Sequence, residues 1–299
     1  MGHVEQSLRS DPRDLSIRAV PLRRPWRRLA ACVLAVLIAS GLWSVVTNRR
    51  FGWDVVGEWL TARTIMRGLL VTLELTAMAM AAGIALGVVL AIMRGSRNRL
   101  LSGFSAGFIW FFRGTPLLVQ LLFWFNLSAV YPRIGIGVPF GGPDFVSVNA
   151  NDVITPMMAA FLGLALHEAA YMAEIVRAGI LSVPRGQVQA ATALGMSGLQ
   201  TMWKIVLPQA MRVIVPPTGN QTISMLKTTS LVSVLAIPDL LYSAQIVYAR
   251  TFQTIPLLIV ATIIYLVVVS LLTVVQSRIE RKFSPDGDSV RPRPSVVAP

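Results

Sequence analysis

The chain of 299 residues has one cysteine and two histidines, and each scarcity closes a route. Cys32 alone cannot form an intramolecular disulfide, so it says nothing firm about redox compartment. His3 sits in a polar tail and His167 in an apolar run, neither with the spacing of a ligand set, and no metal site is expected. The lysines, Lys204, Lys227 and Lys282, follow Trp203, Leu226 and Arg281. A P-loop requires Gly-Lys, because backbone amides and a lysine hold the phosphates together. The chain is therefore not expected to bind ATP by such a loop, or to carry a cofactor. No nucleophile–base pair stands out, so it is not expected to be an enzyme.

Charge is scarce too. Charged residues make up 14% of the chain against 54% hydrophobic, and the mean hydropathy is +0.64. That is too apolar for an ordinary soluble domain and indicates a polytopic membrane protein in contact with the lipid bilayer. The formal net charge of +13 would suggest nucleic-acid binding in a soluble protein. Here the basic residues gather at the ends of apolar runs, which is a topology signal, and no nucleic-acid partner is expected.

The expected architecture is an all-α transmembrane bundle of about six spans. Residues 1–28 form an Arg-rich tail expected to be disordered and cytoplasmic. Residues 29–46 are just long enough to span, and their length favours a retained anchor over a cleaved signal peptide, although Ala39 and Gly41 keep cleavage open. Residues 51–63, with Trp53 and Trp59, suggest an interfacial segment. Further spans are expected near 67–93, 104–130, 154–175, 211–237 and 255–276, with a Gly/Pro-rich surface loop at 131–152 and a tail at 283–299. With the N-terminus inside, the cytoplasmic segments hold the tail arginines, Arg94, Arg97, Arg99, Arg177, Arg185, Lys204, Arg212 and the C-terminal basic cluster. The outside keeps Arg49, Arg50, Arg63, Arg67, Arg133 and Arg250. This bias puts both termini and the polar loop at 178–208 in the cytoplasm.

That loop does not resemble a slack connector. Ser182-Val183-Pro184 suggests a helix start, with a capping serine and a proline in the first turn. A short helix from about Pro184 to Leu194 would end at Gly195. Ser197-Gly198-Leu199-Gln200 fits a capping box opening a second short helix, which Pro208 would end unless it starts the next span. The result is a compact knob of small residues, shaped to dock in another protein's groove.

Three stretches now carry a resemblance. Glu168-Ala169-Ala170, then Gly195 after Ala190-Ala191-Thr192-Ala193-Leu194, then Leu207-Pro208, resembles the EAA loop of ABC importer permeases. Phe112-Arg113-Gly114-Thr115-Pro116-Leu117-Leu118-Val119-Gln120-Leu121 resembles a motif of the polar amino acid branch, of the histidine/glutamine type. Lys227-Thr228-Thr229-Ser230-Leu231-Val232-Ser233 resembles a third. Together they cover roughly residues 68–276, in the family's order; Gln189 departs from it, standing where the branch usually has an acid. The resemblance implies a five-helix core in a bacterial inner membrane, with residues 29–46 as an extra anchor. It also implies an ATPase subunit that holds ATP and Mg, an extracytoplasmic amino-acid-binding protein, and a second permease copy or sister permease. Glu168, Ala169, Ala170, Gly186, Ala190, Ala191, Gly195, Leu207 and Pro208 are the expected ATPase-coupling residues. Glu168 has a second reading, as a stabiliser of the loop base.

Charged groups at membrane depth cost about 2.5 to 3.5 kcal/mol each, so Glu74, Arg113, Glu168 and Lys227 should meet a partner or a wet cavity. Arg113 and Glu74 suit either helix pairing or a substrate path. Asn220, Ser224, Lys227, Thr228 and Thr229, with Arg113, are the expected path for a polar amino acid, and Gln221 crowds the same region. Pro216-Pro217 should break the span that contains them, as a hinge or as a plain kink. Glu174 and Arg177, three apart, should pair. An ion-coupled secondary transporter and a membrane scaffold are the alternatives.

Overall fold

A computed structural model of the chain describes residues 25–137 and 144–283. Of the expected terminal tails, residues 1–24 and 284–299 lie outside the described residues. Helix α1 (Pro25–Thr47) belongs to one unit, Met1–Phe51, and the rest to a second, Gly52–Pro299. Its described side chains are exposed throughout, and Leu29–Thr47 is long and apolar enough to span.

In the second unit, α2 (Trp53–Trp59) is the short segment expected at the interface. It is entered through Gly52 at φ 58, and a Cβ there would lie 2.8 Å from Pro256 Cγ. Val56 anchors it in a cluster with Leu240, Leu257 and Val260. Helices α3 (Arg63–Arg94), α8 (Pro156–Leu181) and α13 (Thr254–Phe283) are each long and apolar enough to cross a membrane. Two bent pairs bring the possible spans to six, in line with expectation. Alternating with these helices, α6 (Leu127–Val130) and α7 (Ala150–Val153) flank a two-stranded antiparallel hairpin, β1 (Arg133–Gly137) and β2 (Asp144–Asn149). The region expected to be loop thus adds a small strand pair to a helical fold.

Helices α3 and α8 lie side by side because small residues line their contact. A Cβ on Gly83 would stand 2.7 Å from Glu168 Cβ, and one on Gly87 2.6 Å from Met172 Cβ. Ala79, Ala165, Ala169 and Ala173 are buried in the same zone. Close backbone approach through small residues is how helices associate when no water is present to drive them together. Thr155 starts α8 by accepting from the Met158 N–H at 3.2 Å, with Pro156 in the first turn.

The span expected at 104–130 is broken. Helix α4 (Arg99–Gly114) and α5 (Leu117–Phe125) meet at 103°. Pro116 forces Thr115 out of helical geometry, to φ −111 and ψ 143. The carbonyls this frees are met by one buried side chain. Gln120 Nε2 donates to Phe112 O at 2.9 Å, to Thr115 O at 3.1 Å and to Thr115 Oγ1 at 2.7 Å.

A second expectation fails in the opposite sense. The chain stays helical from Gly198 to Leu235 and passes through Pro216-Pro217 without breaking. The helix runs as α10 (Gly198–Thr201), a π-turn (Met202–Val206), α11 (Leu207–Thr228) and a 3-10 turn (Thr229–Leu235). Pro216 and Pro217 leave the Arg212 and Val213 carbonyls without their helical donors, and the helix continues nonetheless. Beside them Gln276 Nε2 of α13 donates to Pro216 O at 3.4 Å and to Asn220 Oδ1 at 3.0 Å. The break comes later, at Asp239, whose side chain caps α12 (Leu240–Thr251) by accepting from the Tyr242 N–H at 2.8 Å. The bend there is 45°.

If the Gln120 amide holds the elbow between α4 and α5, Gln120→Leu leaves buried carbonyls unpaired. The expected loss is about 1 to 3 kcal/mol of stability, read as a lowered thermal midpoint of the detergent-purified protein, with Gln120→Asn giving only partial recovery.

Candidate functional site

The knob forms much as its residues require, with changes at its edges. Helix α9 (Arg185–Ala193) follows Pro184, which takes the N-cap position expected of Ser182. Ser182 instead closes α8, its hydroxyl donating to Gly179 O at 2.7 Å. After α9 the chain turns through Gly195 at φ 74. The Gly195 N–H donates to Thr192 O at 3.0 Å and the Met196 N–H to Ala191 O at 3.1 Å. These two bonds define a Schellman stop, which needs a residue free to adopt the left-handed region. The capping box at Ser197 and Gln200 is present in both directions, at 3.3 Å and 3.0 Å. Pro208 ends nothing: with Leu207 it sits in the first turn of α11, inside the continuous helix.

The knob is anchored from beneath by Val183, Ala191 and Val206, which are buried. Its outer side is open. Gly186, Ala190 and Gly195 are exposed, and a Cβ at either glycine would meet nothing within 4 Å. Leu194 is 82% exposed and Leu199 70%. Small residues flanked by unpartnered leucines are the makings of a docking surface.

Glu168, Ala169 and Ala170 are not part of it. They lie in mid-α8, at 2%, 0% and 0% exposure. At the helical rise, that is about 20 Å from the end of α8 at Leu181. The physical reason is the α3 contact: Glu168 packs against Gly83 and the Ala169 carbonyl lies by Gly87, so this stretch of α8 is buried inside the bundle. Of the alanines before Gly195 on α9, Ala190 is exposed and Ala191 buried.

Glu168 instead lines a cavity of about 150 Å3 between α8 and α11. His167, Glu168 and Tyr171 come from α8, and Gln221, Ser224, Met225 and Thr228 from α11. The α11 spacing, three then one then three, is one helical face. Among the described residues Glu168 is paired by Gln221 Nε2, at 3.3 Å to one oxygen and 3.5 Å to the other. His167 Nδ1 is buried without a hydrogen-bond partner among the described residues. A buried acid held by one long amide contact is under-satisfied, and a cation entering the cavity would supply what it lacks.

Of the residues expected to form a substrate path, Ser224 and Thr228 line this cavity. Arg113 does not, but its guanidinium lies 5.2 Å from the centre of the Tyr171 ring, a cation–π contact that ties it to the cavity wall. Lys227 is exposed and is not among the residues lining the cavity, and Asn220 is turned towards Gln276. Thr229 is buried, its hydroxyl donating to Leu226 O at 2.7 Å. Glu74 is exposed, and neither it nor Arg113 joins an ion pair among the described residues. Glu174 and Arg177 do pair, at 2.7 Å.

Comparison with known proteins follows the same outline. Residues 83–285 match the family described as binding-protein-dependent transport system inner membrane component. The arginine transport system permease protein ArgU of Corynebacterium glutamicum is 44% identical over 270 residues, 89% of this chain and 83% of that one. The L-cystine transport system permease protein TcyB of Bacillus subtilis is 34% identical, over 77% of this chain and 90% of that one. Among solved structures, an amino acid ABC transporter with histidines matches at a TM-score of 0.63 and 33% identity. That match covers 73% of this chain and 94% of the other. The inward-facing MetNI methionine ABC transporter shares the fold, at a TM-score of 0.56 and 19% identity over 76% of this chain and 97% of that one.

The left-handed turn at residue 195 sets its own test. Gly195→Ala places a Cβ where it costs about 1 to 2 kcal/mol. The expected result is faster amide exchange across residues 192–196, with exchange in α3 and α8 unchanged.

Proposed function

Since this chain belongs to the family of binding-protein-dependent transport system inner membrane components, we propose that it carries cationic amino acids of the arginine type into the cytoplasm. As a member it is a membrane-spanning transport subunit, and the family works with an ATPase and a binding protein. The comparisons lend no support to an ion-coupled transporter or a scaffold.

The observation that carries the substrate reading is Glu168. A guanidinium fits its geometry, since it can give a carboxylate two parallel hydrogen bonds. The Tyr171 ring and the Ser224 and Thr228 hydroxyls would then flank the rest of the substrate. The arginine permease at 44% identity supports the same choice.

In this reading the knob lies in the cytoplasm, as the positive-inside bias favours, and docks on an ATPase subunit that holds ATP and Mg. Both termini are cytoplasmic and the membrane is the bacterial inner membrane. A binding protein delivers substrate from outside, and a second permease copy or a sister permease completes the pore. The unbroken helix from Gly198 to Leu235 supports the coupling, because it runs from the knob to the cavity wall. Movement of the knob would reach Gln221, Ser224 and Thr228 along one continuous helix, through the π-turn at Met202–Val206.

Two substitutions test the reading in proteoliposomes holding the full transporter. Glu168→Gln should lower arginine uptake about 10- to 150-fold, the span of one lost charged hydrogen bond, while ATPase activity stimulated by the binding protein persists. Equal uptake by the variant would overturn the role of the carboxylate. Gly195→Asp should abolish ATP-driven uptake of any substrate while membrane insertion stays normal. Uptake at the parent rate would remove the knob from the coupling route.

A further inference from the structure

A second cavity, about 740 Å3, opens between α3, α8, α11 and α13. Its size falls within the range of about 300 to 1,000 Å3 typical of small-molecule sites. Its character is unlike that of the polar cavity. Ile84 and Val88 of α3, Val176 of α8 and Leu272 and Val275 of α13 form its walls. Met172 and Ile214, 1% and 7% exposed, also line it, so it reaches into the bundle. Leu199, Met202 and Trp203, from the helix rising out of the knob, close one end.

Water does not settle in an apolar cavity that offers it no partners. The few polar groups here are already engaged within the protein. Thr218 donates to Ile214 O at 2.8 Å and Thr222 to Thr218 O at 3.0 Å. Gln276 Nε2 donates to Glu280 Oε1 at 2.7 Å. The groove thus has little to give a polar ligand or a peptide backbone, and much to give a hydrocarbon chain.

Charge at the rim narrows the choice. Arg278, Arg281 and Lys282, in the last turns of α13, are exposed and carry no ion pair among the described residues. Lys204 is likewise exposed and unpaired, beside Trp203, which is 63% exposed. The acid on this rim, Glu280, is bonded to Gln276. A basic rim with a tryptophan at its edge, over an aliphatic groove, complements an anionic headgroup over an acyl chain.

We propose that this groove binds one acyl chain of an anionic phospholipid from the cytoplasmic leaflet, with the headgroup on Lys204, Arg278, Arg281 and Lys282. The assignment of leaflet rests on the cytoplasmic placement of the knob proposed above. Because Leu199, Met202 and Trp203 form one end of the groove, the bound lipid touches the segment that joins the knob to α11. Lipid composition thereby acts on the coupling of ATP use to uptake.

The test uses the assembled transporter in nanodiscs containing phosphatidylglycerol or phosphatidylcholine, each with a photoactivatable diazirine in the acyl chain. Labelling should concentrate in residues 199–223 and 272–280 and favour phosphatidylglycerol. Val275→Trp, which fills the groove, should cut that labelling at least about tenfold. The surface variant Arg278→Gln/Arg281→Gln/Lys282→Gln, which leaves the core intact, should lower the preference for phosphatidylglycerol about tenfold or more. Equal labelling by the two lipids, labelling spread evenly over the outer helices, or crosslinking of the groove to another protein chain would overturn the proposal. In membrane vesicles of known sidedness, a Cys32→Ser background with Arg97→Cys, at an exposed position off the knob that is assigned to the same side of the membrane, and a membrane-impermeant maleimide separate the two readings. Reaction from the cytoplasmic side with no groove labelling overturns the lipid site alone. Reaction from the outer side overturns the orientation, and the leaflet assignment with it.

Discussion

The close approach of α3 to α8 is the contact on which the rest depends. Gly83 and Gly87 remove the side chains that would hold the helices apart, and Glu168 and Met172 settle against them. In a bilayer there is no hydrophobic gain from pushing two apolar helices together, so packing and internal hydrogen bonding must do it. The same contact buries an acid at mid-helix and turns it towards α11. Glycine on one helix therefore sets the position of a carboxylate on the next, and that carboxylate defines the polar cavity.

Internal satisfaction of polar groups explains the other joints as well. Backbone at membrane depth cannot turn to water, so each irregularity has a side chain assigned to it. Gln120 meets the carbonyls opened by Pro116. Gln276 bonds beside the proline pair of α11, and Asp239 caps α12. One proline pair leaves its helix unbroken and a single proline accompanies a 103° elbow. The outcome follows from what surrounds the proline as much as from the proline itself.

Much of this was legible in the sequence. Apolar length located the spans, and Ser197 with Gln200 announced its capping box. Gly195 announced its turn, because glycine after an alanine-rich helix is a strong stop signal. The elbow at Thr115 was not legible, since it depends on an amide five residues further on, and nothing in the spacing of Pro216-Pro217 announced that the helix would continue through them. The cavity was half legible. Ser224 and Thr228 stood out as hydroxyls on a polar helix, but Lys227 drew attention for its charge and is not part of the cavity lining. Glu168 carries two readings in the sequence, as a coupling residue by resemblance and as a stabiliser of the loop base, and its burial accords with the second. Helical phase argues the same way: Glu168, Met172 and Val176 recur at every fourth position, the mark of a buried stripe. Gln221 stood among the same polar residues, while His167 and Tyr171 gave no sign of their role beyond lying near such residues.

The π-turn at Met202–Val206 bears on how the long helix carries force. A π-turn is a helix with one residue more than its neighbours per turn, and it lets the segments on either side differ in phase by about 100°. Were it to relax into ordinary α geometry, everything beyond it would turn about its own axis. A rod with such a slipping tooth transmits torque as readily as thrust. Ser224 and Thr228 could then be wheeled out of the cavity wall, and the lysine between them wheeled in.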